Sequence, residues 1–260
     1  MAEEFQIGGV RLRSRLMLGT ARYPSPASLS ASIAAAKPAA ITVSLRRSGP
    51  DGGSFHNLLA EAGCPLLPNT AGCRSAAEAV ACAHMCRELL GTDWIKLEVI
   101  GDDDTLQPEP FGLVDAARQL VDEGFVVFAY TTEDLVVARR LHEVGCAAIM
   151  PWGSMIGSGC GIEHPDRLRS LRSRLPEAVL IVDAGIGRPS DAAQAMELGM
   201  DAVLLNSAVA GADDPPAMAQ AFAEAVAAGR RAWRAGMIPR LGMAQASTPA
   251  LDVPFWQEAD

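Results

Sequence analysis

Eight short runs of apolar, largely β-branched residues recur along this chain, and a longer segment of helical period separates each from the next. The runs fall at 15–20, 40–45, 65–69, 94–100, 125–130, 147–152, 179–184 and 202–206; the helical segments fall at 26–36, 55–62, 75–90, 112–123, 133–143, 165–175, 190–198 and 215–235. Nearly continuous apolar strands need cover on both faces, and alternation with helices supplies it around a parallel sheet. Eight such units fit a closed barrel, so the expected fold class is α/β, a single (β/α)8 TIM barrel over residues 1–260. An open doubly wound sheet is the alternative, but no G-x-G-x-x-G follows the first run to support it. Residues 1–14 read as a short hairpin that turns at Gly8-Gly9 and plugs the barrel floor. The turn-rich stretch 46–53 follows a strand and is placed to close over a site, and 242–260 reads as a tail of small residues and prolines.

Net charge is −9, and no basic run exceeds a pair such as Arg46-Arg47 or Arg139-Arg140, which argues against a nucleic-acid surface. A phosphorylated small molecule stays compatible with that charge, because backbone N–H groups at helix N-termini bind phosphate unaided. Met1 to Phe5 contains no basic region leading into an apolar stretch, and no apolar segment reaches membrane-spanning length. The expectation is a cytoplasmic protein with no membrane contact. Six cysteines (Cys64, Cys73, Cys82, Cys86, Cys146 and Cys160) are then expected as reduced thiols. Cys82 and Cys86 stand one helical turn apart with His84 off their face, and no second pair has metal-ligand spacing, so they read as core residues and no metal is expected. His56, His142 and His164 read as surface groups on helices or at helix starts.

Within the fourth run, Trp94-Ile95-Lys96-Leu97-Glu98-Val99-Ile100, side chains alternate between the two faces of a strand, so Lys96, Glu98 and Ile100 share one face. Charges are rarely buried unless paired or used. Desolvation disfavours the ammonium form, so burial is expected to lower the pKa of Lys96 and free a nucleophilic amine. The plainer alternative is a satisfied buried ion pair, or an edge strand with one wet face. Alternation likewise puts Ile181 and Asp183 on one face of the seventh run, aiming Asp183 at the barrel mouth, where it can hold the amine's charge or move protons; capping the following turn is its plainer role. After the sixth, seventh and eighth runs come Gly153 to Gly161, Ala184 to Gly187 and Asn206-Ser207. Glycines let a backbone approach phosphate closely, helices opening near Ser190 or Ser207 can present N–H groups, and barrel phosphate sites often follow strands seven and eight.

Several ordered motifs resemble the thiazole synthase family of thiamin biosynthesis. They are Pro-Asn-Thr-Ala-Gly-Cys (68–73), Lys-Leu-Glu-Val-Ile-Gly-Asp (96–102), Met-Pro-Trp-Gly-Ser-Met-Ile-Gly-Ser-Gly (150–159), Val-Asp-Ala-Gly-Ile-Gly (182–187) and Ala-Val-Leu-Leu-Asn-Ser-Ala (202–208). Ser-Arg-Leu-Met-Leu-Gly-Thr (14–20) and Ala-Ser-Thr-Pro (246–249) are similar too, and 48–55 is the least family-like stretch. The resemblance implies a (β/α)8 barrel that makes a thiazole phosphate from 1-deoxy-D-xylulose 5-phosphate, dehydroglycine and sulfur from a small carrier protein ending in a Gly-Gly thiocarboxylate. It implies Lys96 as the Schiff-base residue, Glu98 and Asp183 as proton carriers, and Gly157, Ala184, Gly185, Asn206 and Ser207 as holders of the sugar phosphate. It implies no metal or organic cofactor, and a homotetramer as the usual assembly. Two other readings are a class I aldolase, which needs no sulfur donor, and a non-catalytic phosphosugar sensor, which would keep its buried charges without use.

Overall fold

The computed structural model describes residues 5–44, 58 and 62–245. Eight parallel strands form the barrel: β3 (Leu16–Gly19), β4 (Ala40–Ser44), β5 (Leu66–Asn69), β6 (Trp94–Leu97), β7 (Val126–Thr131), β8 (Ala148–Pro151), β9 (Ile181–Asp183) and β10 (Ala202–Leu205). Their order is β8-β7-β6-β5-β4-β3-β10-β9. The seam between β8 and β9 is closed by a parallel bridge from Ile149 to Leu180 and by the Ile149 N–H donating to the Val179 carbonyl at 2.9 Å. This closure excludes the open doubly wound alternative.

Two apolar layers follow from strand alternation. Side chains of one parity, such as Leu18, Ile41, Ile95, Leu97, Val127, Val182 and Val203, pack outward against the helices. Those of the other parity, Met17, Ala40, Leu67, Trp94, Phe128, Met150, Ile181 and Ala202, fill the barrel with Phe5, Ile7 and Leu12 of the hairpin. That hairpin pairs β1 (Phe5–Ile7) with β2 (Val10–Leu12), and its turn residues Gly8 and Gly9 have φ of 55° and 79°, the two positive values a type I′ turn demands. Its apolar side chains lie among residues from the N-terminal ends of the strands, so it seals the floor as expected.

Helix starts are set by local capping. Pro26–Ala36 begins where Ser25 Oγ accepts from the Ser28 N–H, and Ala76–Leu90 where Ser75 Oγ accepts from the Glu78 N–H. Two starts differ from the sequence expectation for the same reason. Pro110–Asp122 begins two residues early because the Glu109 carboxylate accepts from the Phe111 and Gly112 amides. Leu135–Glu143 begins late because Asp134 caps it, which leaves Glu133 outside the helix. Pro165–Arg174, Pro189–Glu197 and Pro215–Ala235 lie close to their expected places, and a short helix, Ser207–Ala210, follows β10 directly. The stretch 46–53, the segment 48–55, His56 and 246–260 lie outside the described residues, as does most of the helix expected at 55–62. Among the described residues no helix is long and apolar enough to cross a membrane. Cys73, Cys82, Cys86 and Cys146 are buried free thiols, and Cys160 is exposed.

Candidate active site

A cavity of about 1100 Å³ opens at the C-terminal ends of the strands, and Lys96, Glu98 and Asp183 lie in its wall. Each is nearly sealed from solvent, with 6%, 5% and 3% of its surface exposed. Lys96 Nζ is 2.5 Å from Asp183 Oδ2 and 3.3 Å from Glu98 Oε1, so one amine is shared by two carboxylates. Asp183 arrives from β9, whose neighbour β10 pairs Leu204 with Asp183, and its contact with Lys96 crosses the barrel mouth. Tyr130, from β7, lays its ring beside the amine, with Nζ 5.6 Å from the ring centroid. Its phenol is pushed well above the usual tyrosine range by burial and by the Asp183 and Glu98 carboxylates, which keeps the ring neutral.

The protonation of Lys96 differs from the sequence expectation. Burial is the largest single influence and does work to lower its pKa, but Asp183 and Glu98 together outweigh it, and the net direction is upward. The resting residue is therefore an ammonium clamped by carboxylates. It becomes a nucleophile only after a proton leaves it, and the two groups placed to take that proton are the ones that hold it.

β6 also ends earlier than its apolar run. Ladder pairing stops at Leu97, and Glu98 lies one residue past the strand. Glu98 nevertheless keeps its inward aim.

The opposite wall is built from interlocked loops. The Gly153 N–H donates to the Ala184 carbonyl at 3.2 Å, and the Gly161 N–H to the Gly185 carbonyl at 2.8 Å. Gly185 has φ +77°, and a Cβ there would stand 2.0 Å from Ser154 Oγ and 2.5 Å from the Ser154 backbone nitrogen. Ala184 adopts φ 76°, a left-handed conformation rare for a residue with a Cβ. Gly157, Ala184, Gly185, Asn206 and Ser207 all line the same cavity as Lys96. Gly157 and Ser207 face each other, a Cβ on the former lying 3.8 Å from the latter's Oγ. The first amides of Ser207–Ala210 have no intrahelical carbonyl to bond, as at any helix start. The Ser190 neighbourhood behaves differently: Asp191 Oδ2 accepts from the Gly187 and Arg188 N–H groups at 3.0 and 2.9 Å, so a carboxylate already occupies that helix start. The Gly157, Ala184-Gly185 and Asn206-Ser207 segments line the cavity without such a carboxylate cap.

Sequence reasoning did not single out Glu133. Freed from the following helix, its buried carboxylate accepts from Trp152 Nε1 and from Arg167 Nη1, the latter at 3.2 Å, and His164 Nε2 lies 3.9 Å away. It ties the start of the glycine loop after β8 to the loop after β7. A glutamate beside a capping aspartate gives little signal of this in sequence. His142 and His164 are exposed, as expected for surface groups. Among the described residues no cluster of three or more His, Cys, Asp or Glu is arranged to hold a metal ion.

The model of the thiazole biosynthesis protein ThiG family matches residues 6–249. The chain belongs to the ThiG family. Thiazole synthase from Gluconobacter oxydans is 60% identical over 241 residues, covering 93% of this chain and 96% of that one. Thiazole synthase from Burkholderia lata is 55% identical over 260 residues, covering 99% and 96%. A solved structure, that of the Amycolatopsis orientalis BexX/CysO complex, superposes with a TM-score of 0.84 at 32% identity, covering 92% of this chain and 98% of that one. As a ThiG-family member, the protein is an enzyme of thiamin biosynthesis that forms the thiazole, a sulfur-transferring reaction. The family match spans both the Lys96 wall and the glycine-loop wall of the cavity.

Proposed function

We propose that Lys96 condenses with the ketone of 1-deoxy-D-xylulose 5-phosphate while the phosphate rests against Gly157, Ala184, Gly185, Asn206 and Ser207. The observation that carries this reading is one buried amine held between two carboxylates, Glu98 and Asp183, in a cavity whose other wall is glycine-rich backbone. Glu98 or Asp183 first takes a proton from the ammonium. The freed amine adds to the carbonyl carbon, and loss of water leaves a protonated imine. That imine draws electrons from the neighbouring C–H bond, so a carboxylate can remove the proton and return it elsewhere, moving the carbonyl along the sugar. Dehydroglycine and the thiocarboxylate of a small carrier protein would then supply the remaining atoms. That a chain 32% identical to this one was solved within the BexX/CysO complex supports a protein partner. The reading uses no metal or organic cofactor, and it takes the working form to be a cytoplasmic homotetramer, checked by sedimentation velocity.

Borohydride reduction in the presence of the sugar phosphate, followed by peptide mass spectrometry, should put the reduced adduct on Lys96. An adduct on another lysine, or none, sinks the mechanism. The same experiment has a pH signature. A lysine whose pKa lies above its ordinary value rests as the ammonium at neutral pH. Trapping should therefore accelerate as pH rises from about 7 to about 9; a flat profile would mean that the resting amine is already neutral.

A further inference from the structure

We infer that Thr70 is a positioning residue for this reaction: its hydroxyl takes the place of the strand ladder where β6 ends and thereby fixes the aim of Glu98 at Lys96. This rests on the reading of Lys96 and Glu98 given above. Thr70 is fully buried and does not line the cavity, so any effect it has runs through its neighbours. Its Oγ1 accepts from the Glu98 N–H at 2.8 Å and donates to the Glu98 carbonyl at 2.8 Å, while its own N–H donates to the Lys96 carbonyl at 3.1 Å. One side chain thus engages both backbone groups of Glu98, and its own amide holds the residue two before it.

The reason lies in the sheet. β5 and β6 pair at Asn69 and Lys96, and the chain beyond Asn69 turns away into the loop that carries Cys73. The Glu98 amide would then be a buried donor and its carbonyl a buried acceptor, each expensive to leave unpaired. A hydroxyl is the smallest group that can donate and accept at once, which a carbonyl, a carboxylate or an ammonium cannot. The next residues are held from both sides: the Ile100 N–H donates to the Cys73 carbonyl at 2.8 Å, and the Glu109 N–H to the Val99 carbonyl at 2.8 Å. Segment 98–100 is thereby rigid outside any strand, and Thr70 is its first fixed point. A proton carrier 3.3 Å from its lysine tolerates little displacement, since a shift of about 1 Å can lose on the order of 10²-fold in rate.

Thr70→Val keeps the shape and removes the hydroxyl; Thr70→Ser keeps the hydroxyl. Steady-state kinetics of the full chain with carrier protein should show kcat of Thr70→Val down about 10- to 100-fold, with KM for the sugar phosphate within about threefold, because the phosphate wall is elsewhere. Thr70→Ser should recover most of kcat. Active-site counting by borohydride trapping at saturation separates a slower enzyme from a partly unfolded one: Thr70→Val should still label to completion, only more slowly. The inference is overturned if Thr70→Val turns over like wild type, if Thr70→Ser is as slow as Thr70→Val, or if the loss is accounted for by a reduced labelled fraction. Failure of wild type to label at Lys96 instead removes the underlying reading, which distinguishes the two.

Discussion

Lys96→Met is expected to abolish thiazole formation, with kcat down at least about 10⁴-fold, and to destabilise the protein by about 3–5 kcal/mol at neutral pH. The first effect follows from loss of the only lysine amine in the cavity wall among the described residues. The second follows from geometry. Removing the ammonium takes from the buried Asp183 and Glu98 carboxylates the cation they share, and breaking a buried pair from one side is costly because the other charge stays behind. Urea unfolding, followed at constant m-value, measures the loss. Two further variants separate charge from chemistry. Lys96→Arg keeps a cation between the carboxylates and should regain part of the stability with no imine formed. Lys96→Met combined with Asp183→Asn should be more stable than Lys96→Met alone, since one orphaned charge is gone. A Lys96→Met protein as stable as wild type would show that the three groups are not an ion cluster at all.

The second large effect is expected at Gly185. An alanine there must adopt φ +77° and also place its Cβ 2.5 Å from the Ser154 backbone nitrogen. Ser154 is buried, so the loop after β8 can make room only by moving as a whole. Gly185→Ala should therefore part the hydrogen bonds that join the two loops, raise KM for the sugar phosphate by about 10² or more, and lower stability by about 3 kcal/mol. The neighbouring position gives the opposite sign. Ala184 already bears the left-handed strain, so Ala184→Gly should be neutral to about 1 kcal/mol more stable. Calorimetry and phosphate-ester kinetics on both variants check the pair. A loss at Gly185→Ala no larger than the gain at Ala184→Gly would show that backbone conformation, rather than the Ser154 contact, governs this wall.

Much of this was legible in the chain itself. Alternation alone aimed Lys96, Glu98 and Asp183 inward, because a closed barrel leaves each strand one interior face. Two turn glycines sufficed to place the floor hairpin. What alternation could not give was distance across the barrel. The expectation of a lowered lysine pKa considered burial alone, and the result depends on two carboxylates within 3.3 Å, Asp183 from across the barrel and Glu98 from just past the lysine's own strand. The carboxylate cap at the Ser190 helix start has a local cause visible in the chain: Asp191 stands three residues after Arg188, the spacing that lets a side chain cap the amides before it. Thr70 carried no such signal. Its role exists only because β5 turns away after pairing Asn69 with Lys96, while the chain after β6 still needs partners at Glu98.

The hairpin that seals the floor has a consequence for traffic. With Phe5, Ile7 and Leu12 packed among the strand starts, the barrel is a cul-de-sac. On the proposed function, the described residues leave the reactants and the finished ring the open end of the barrel as their route. The sugar phosphate, which must reach Lys96, then has to arrive before a carrier protein docked across that end. Initial-rate studies should accordingly show compulsory-order addition, sugar phosphate before carrier, with excess carrier acting as a competitive block; random-order kinetics would mean that a second way in exists.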